Sequence, residues 1–174
     1  MTVTSLMHLE PQELRRGIQR SQSREMRLRR GVVATSLLGI ASMAIVTLLQ
    51  SGILKHLKDP PKGNFKSDKV NSSDEAYSYG GPDAPIAITS HAVNIVLATT
   101  GMPERSVTQP WLPLLAALTA GAQAAMAAKY LFYQMPKVDK AWCPYCIFDA
   151  LTHFATVALT LPEAARTMRQ LRRR

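Results

Sequence analysis

The stretch Gly31–Leu54, GVVATSLLGIASMAIVTLLQSGIL, runs for 24 residues without a charged side chain. About 20 apolar residues in a helix cross the hydrocarbon of a bilayer, so this segment is long enough to span one. A cleaved secretory signal has an apolar core of only ~7–15 residues behind a brief basic start. Here a 30-residue polar arm comes first, and the segment reads as an anchor. Three more apolar runs follow: Ile86–Met102, Trp111–Met135 interrupted only by Lys129, and Trp142–Leu161 interrupted only by Asp149. The expected fold is all-α: a four-helix membrane bundle over residues 31–162, with spans at 31–54, 86–102, 111–135 and 142–161. A polar arm (1–30) and a short tail (163–174) flank it.

Charge sets the orientation. Arg15, Arg16, Arg20, Arg24, Arg27, Arg29 and Arg30 precede the first span, Arg105 lies between the second and third, and Arg166, Arg169, Arg172, Arg173 and Arg174 follow the fourth. In a four-pass chain all of them fall on one side, which the positive-inside rule makes cytoplasmic, with both termini there. The opposite side receives the loop 55–85, in which five lysines are matched by Asp59, Asp68, Asp74, Glu75 and Asp83.

A net charge of +9 invites a nucleic-acid reading. The charge lies in arms beside apolar helices, without the interleaved aromatics of a stacking platform. Topology and contact with anionic lipid account for it, and no nucleic-acid partner is expected. The arm Pro11–Arg30 is expected to form a helix lying on the membrane surface. The loop 55–85 is rich in Pro, Gly, Ser and Asp (DPPKGN, NSSDE, YGGPDAP), which predicts irregular backbone with a helical turn near Asp74–Tyr77. A connection this long is a functional cap or a disordered segment.

Both cysteines of the chain fall in Ala141–Asp149, AWCPYCIFD, at the outer start of the fourth span. Pro144 suits a first helical turn, where its missing N–H has no helical partner. Cys143 then sits near the N-cap and Cys146 one turn deeper. The positive end of a helix favours a thiolate, and an oxidising compartment is where a dithiol can cycle. On this placement Cys143 meets a water-borne partner and Cys146 faces the membrane. A C-x-x-C pair is also compatible with inert core thiols. Zinc asks for four ligands and finds only Asp149 and His153 beside the pair, so no metal is expected. Covalent haem needs a histidine where Ile147 stands.

Four apolar segments, a long outer loop after the first, and W-C-P-Y-C-I at the start of the fourth resemble the vitamin K epoxide reductase family and its bacterial homologues in disulfide formation. The resemblance covers about Gly31–Pro162. It implies a quinone-linked thiol–disulfide oxidoreductase in which Cys146 is the quinone-proximal thiol and Cys143 exchanges with a protein dithiol or disulfide. The quinone would be of ubiquinone, menaquinone or phylloquinone type, and the chain a multi-pass protein of the bacterial cytoplasmic membrane. The chain departs from the family in three ways. The loop 55–85 lacks the family's second cysteine pair, these 174 residues leave no room for the fused thioredoxin-like domain that some bacterial members carry, and Ala150 stands where animal members place a tyrosine. The electron partner is then a separate thioredoxin-like or other dithiol protein on the outer side. The alternative is a non-catalytic small subunit of a larger complex that keeps the scaffold.

The remaining polar residues in apolar surroundings are candidates in their own right. Ala117, Gly121 and Ala125 form a small-residue stripe that allows close helix approach, and Lys129 continues it toward the bundle interior. Lys129 and Asp149 lie equally far from the turn near Asp139, at a depth where an unpaired charge costs about 2.5–3.5 kcal/mol, so they are expected to pair. The pair either fixes the hairpin or serves chemistry. Cys146, Asp149 and His153 share one helix face, and Asp149 with Lys129 or His153 is a candidate proton relay to a quinone. Ser90, His91 and Asn94 are polar on the second span. They either bond a neighbouring helix or, in the case of Ser90 or His91, contact the quinone as the family resemblance implies. Tyr77 and Tyr79 in the loop are expected in surface or packing roles, with a lid over the pocket as the alternative.

Overall fold

The computed structural model describes residues 10–173; the start of the polar arm and Arg174 lie outside the described residues. Among the described residues the architecture is all-helical, with no strand. Pro11–Arg20 (α1) is short, amphipathic and basic. A break at Ser21–Ser23 separates it from Arg24–Gln50 (α2), whose first turn is capped by the Ser23 side chain accepting from Met26 N at 3.2 Å. The expected single arm helix is therefore split. Its second half runs on into the first apolar segment, because nothing between Arg24 and Gln50 breaks helical backbone.

Ser67–Asn71 (α3) and a 3-10 turn at Glu75–Tyr77 lie in the long loop. Asp83–Thr99 (α4), Arg105–Thr108 (α5), Trp111–Lys129 (α6) and Pro144–Leu171 (α7) complete the chain. After α6 the backbone continues to Asp139 in wide π-type turns around Pro136. A proline cannot donate the backbone hydrogen bond that an α-helix expects at that position. Lys140, at φ 51°, then reverses the chain toward α7.

Three helical stretches are long and apolar enough to cross a membrane: Arg24–Gln50, Trp111–Asp139 and Pro144–Leu171. Their outward faces are apolar, with Leu118 70% and Phe132 67% exposed. So much bare hydrocarbon suits lipid rather than water. The 17-residue α4 packs between α2 and α6, and α7 packs against α2 and α6. The helix-packing face of α6 is Leu112, Pro113, Ala116 and Ala120. The anticipated stripe sits one residue off that face: a Cβ on Gly121 would meet nothing within 4 Å, and Ala125 is exposed. Small residues recur so densely on α6 that spacing alone did not pick out the register.

The two ends of the helix assembly are held differently. Where α2 begins and α7 ends, Glu163 is buried between Arg29 and Arg105. Arg105 Nη2 donates to Glu163 Oε2 at 2.9 Å, and Arg29 Nε donates to Glu163 Oε1 at 3.1 Å. The guanidinium groups also donate to carbonyls: Arg29 to Met102 at 3.1 Å and Arg105 to Thr100 at 2.7 Å. At the other end the long loop folds over the start of α7. Lys66 N donates to Trp142 O at 2.9 Å, and Trp142 N donates to Asn64 O at 3.0 Å. The loop backbone is thereby tied to the residue just before Cys143.

Candidate active site

α7 begins at Pro144, and Cys143 is its N-cap in extended conformation (φ −124°, ψ 115°). Its sulfur accepts from the backbone N–H of Cys146 at 3.2 Å, as a capping side chain does. The C-x-x-C spacing thus serves the helix start directly. Both cysteines are free thiols.

Their surroundings reverse part of the expected arrangement. Cys143 has no exposed surface and is the more enclosed of the two, whereas Cys146 is partly open. The cover comes from α3. Asn71 Nδ2 donates to Cys143 Sγ at 3.3 Å, and the Cys146 thiol donates to Asn71 Oδ1 at 3.3 Å. Burial pushes the Cys143 thiol up. Hydrogen bonds from Cys146, Asn71 and Ser67 outweigh it and bring Cys143 down to about 7.

Cys146 opens onto a cavity of about 340 Å³ between α2, α4, α6 and α7. Met43, Ala84, Ile86, Ala87, Ala122, Met126, Ala127 and Ala150 give it apolar walls; Ser90, Gln123, Tyr130, Asp149 and His153 add polar groups, and Asn71 and Tyr79 close its loop side. The volume and the lining, apolar with a few polar groups, suit a small cyclic ligand.

Asp149 sits at the centre of a buried polar group. His91 Nε2 lies 2.9 Å from Asp149 Oδ1, and His153 Nε2 lies 3.6 Å from Asp149 Oδ2. The two imidazoles stack with centroids 4.2 Å apart and planes 13° from parallel. Gly39 makes this possible, since a Cβ there would lie 2.1 Å from His91 Nε2. The three side chains offer ligand atoms within 4.8 Å of one another. A metal-bound histidine, however, normally donates its second ring N–H to a neighbour, and Nδ1 of both His91 and His153 is buried without a partner. The outer hydrogen bonds that orient metal-bound imidazoles are therefore not supplied by neighbouring side chains or backbone.

The other candidate residues are distributed unevenly. Ser90 lines the cavity, although its hydroxyl donates to Ile86 O at 3.1 Å. His91 lies behind the wall and meets the cavity through Asp149 and His153, both of which line it. Asn94 bonds a neighbouring helix, donating to Gln123 Oε1 at 2.7 Å. Lys129 is not beside Asp149. Its side chain is half-exposed and pairs with Glu75 at 2.9 Å, latching the loop to α6. The wide turns after Lys129 shift the expected hairpin register, and the loop supplies a carboxylate that was not anticipated. Asn71, which touches both thiols, and Ser67, which bonds Cys143, carry no signal in the sequence; they are two polar residues in a polar loop.

The model of the vitamin K epoxide reductase family matches residues 31–161. No curated protein and no solved structure matches the chain. The matched range takes in the apolar helices, the covering loop and both cysteines, and the chain belongs to the vitamin K epoxide reductase family.

Proposed function

We propose that this chain is a membrane thiol oxidoreductase that exchanges electrons between a protein dithiol or disulfide partner and a membrane quinone through Cys143 and Cys146. The observation that carries this reading is the position of Cys146. It lies in the wall of an apolar cavity, one turn from Asp149 and hydrogen-bonded through Asn71 to its partner thiol. A quinone bound there takes up two electrons and two protons.

The chain's own groups divide the remaining work. Cys143 and Cys146 store two electrons and release them on forming one S–S bond; with Cys143 already ionised, that step frees the single thiol proton of Cys146, and the second proton that a quinone needs comes from water by way of Asp149. Cys143, ionised near neutral pH, is the nucleophile for exchange with an outer-side partner. It is covered by Ser67 and Asn71, so the loop 55–82 must lift for that exchange. Asp149, bonded to His91 and facing both His153 and the cavity, relays protons to the ligand, and Ser90 lines the same wall with its hydroxyl proton held on Ile86 O. We place α4 in the bilayer as a fourth span. Both termini are then cytoplasmic and the loop is on the outer side of a bacterial cytoplasmic membrane.

The test uses the full chain in lipid nanodiscs, with a small dithiol as reductant and short-chain ubiquinone, menaquinone and phylloquinone analogues as acceptors. Quinol is expected with at least one acceptor, and Cys146→Ala is expected to lower its rate at least about a hundredfold. No quinol with any acceptor contradicts the reading and favours a non-catalytic membrane subunit.

A further inference from the structure

The side-chain amide of Asn71 joins the two thiols asymmetrically. Its Nδ2 donates to Ser67 O at 2.8 Å, and only the nitrogen end can donate to a carbonyl. That bond fixes the orientation of the amide, which is otherwise ambiguous by shape alone. The second Nδ2 hydrogen is then directed at Cys143 Sγ, and Oδ1 receives the S–H of Cys146, both at 3.3 Å. Asn71 is itself held, being 2% exposed with its carbonyl accepting from Gln50 Nε2 at 3.2 Å. Gln50 in turn bonds Asp83 Oδ1 at 2.8 Å and Ala84 N at 3.2 Å, tying the loop to the end of α2 and the start of α4.

We infer that Asn71 is a positioning residue that assigns the negative charge of the reduced pair to Cys143 and the proton to Cys146. This deepens the proposed function and rests on it for its significance, although the assignment belongs to the chain alone. An amide aimed the other way would put its acceptor against Cys143 and its donor against Cys146, and would exchange the roles of the two thiols. The Ser67 carbonyl forbids that flip. Cys143 also receives the Cys146 N–H at 3.2 Å, so the same sulfur collects donors from α3 and from the first turn of α7. The arrangement exists only in the dithiol. A disulfide offers Oδ1 no S–H and Nδ2 no thiolate, so oxidation removes both of Asn71's bonds to the pair.

The test isolates Cys143 by Cys146→Ala in the full chain in nanodiscs and follows thiolate ultraviolet absorbance against pH, without quinone or partner. The midpoint is expected below that of an ordinary thiol, near 8.5. Asn71→Ala is expected to make ionisation of Cys143 at least about tenfold less favourable. Asn71→Leu, close to asparagine in shape but without polar atoms, does the same and carries the test if the alanine variant fails to fold. A midpoint unchanged in a variant with native circular dichroism overturns the inference. A shifted midpoint in a chain that reduces no quinone leaves the inference standing and removes the proposed function instead.

Discussion

Two buried polar clusters lie at opposite ends of the same helices, and they are built on opposite terms. Around Glu163 the guanidinium groups of Arg29 and Arg105 donate to its carboxylate and to nearby backbone carbonyls. Around Asp149 the two histidines leave both Nδ1 atoms unpartnered, and one amide, that of Asn71, joins the two neighbouring thiols. A saturated network holds elements in place and has nothing left to exchange. An under-satisfied one keeps free positions for protons and ligands, at some cost in stability. The difference suggests that structure and chemistry are separated along the helix axes.

The largest effect expected on that contrast comes from Glu163→Gln. It leaves two buried arginines without their counter-charge, and breaking a buried pair costs about 3–5 kcal/mol. Thermal or denaturant unfolding in detergent should show the loss, whereas the turnover of whatever folded chain survives should stay close to wild type. Asp149→Asn is expected to do the reverse. Quinone-linked turnover should fall about 10–100-fold and lose pH dependence, with little change in unfolding. If turnover and its pH profile persist in Asp149→Asn, Asp149 is no proton relay and the division between the two ends fails.

Gly39→Ala couples the two properties, because its Cβ would occupy the place of His91 Nε2. Overpacking costs about 1–3 kcal/mol, and turnover should drop with it as His91 leaves Asp149. Exchange with the outer partner should follow ionisation of Cys143. The thiolate is the reactive form and the group is held at about 7, so the rate should rise about tenfold from pH 6 to pH 8 and level off above. A rate still climbing steeply above pH 8.5 would show an unperturbed thiol. The smallest effect belongs to Lys129→Ala. The residue pairs with Glu75 outside the cavity, so quinol formation should change by less than about twofold; a larger loss would put Lys129 back in the site.

The helical class and the position of the thiol pair were legible in the sequence for simple physical reasons. Long uncharged runs have one common use, and C-P-x-C places a proline where a helix start tolerates it. His91, Asp149 and His153 also stood out as polar residues in apolar runs, and two of them share a helix face. What was not legible depends on register and on the loop. The wide turns around Pro136 move Lys129 off Asp149, and the α6 contact face is offset by one residue from the apparent stripe. The folding of α3 against Cys143, which makes it the more enclosed of the two thiols, depends on backbone pairing at Trp142 and on Asn71. Neither has a pattern that distinguishes it from any other polar loop.

The central claim is that Cys143 and Cys146 pass electrons to a quinone in the cavity beside them. It is tested most directly by acid quenching and thiol alkylation of native membranes before and after addition of oxidised quinone. The pair is expected to be alkylated as a dithiol before addition and to resist alkylation as a disulfide afterwards, in wild type but not in Cys146→Ala. A pair found in the same redox state with and without quinone would contradict the account.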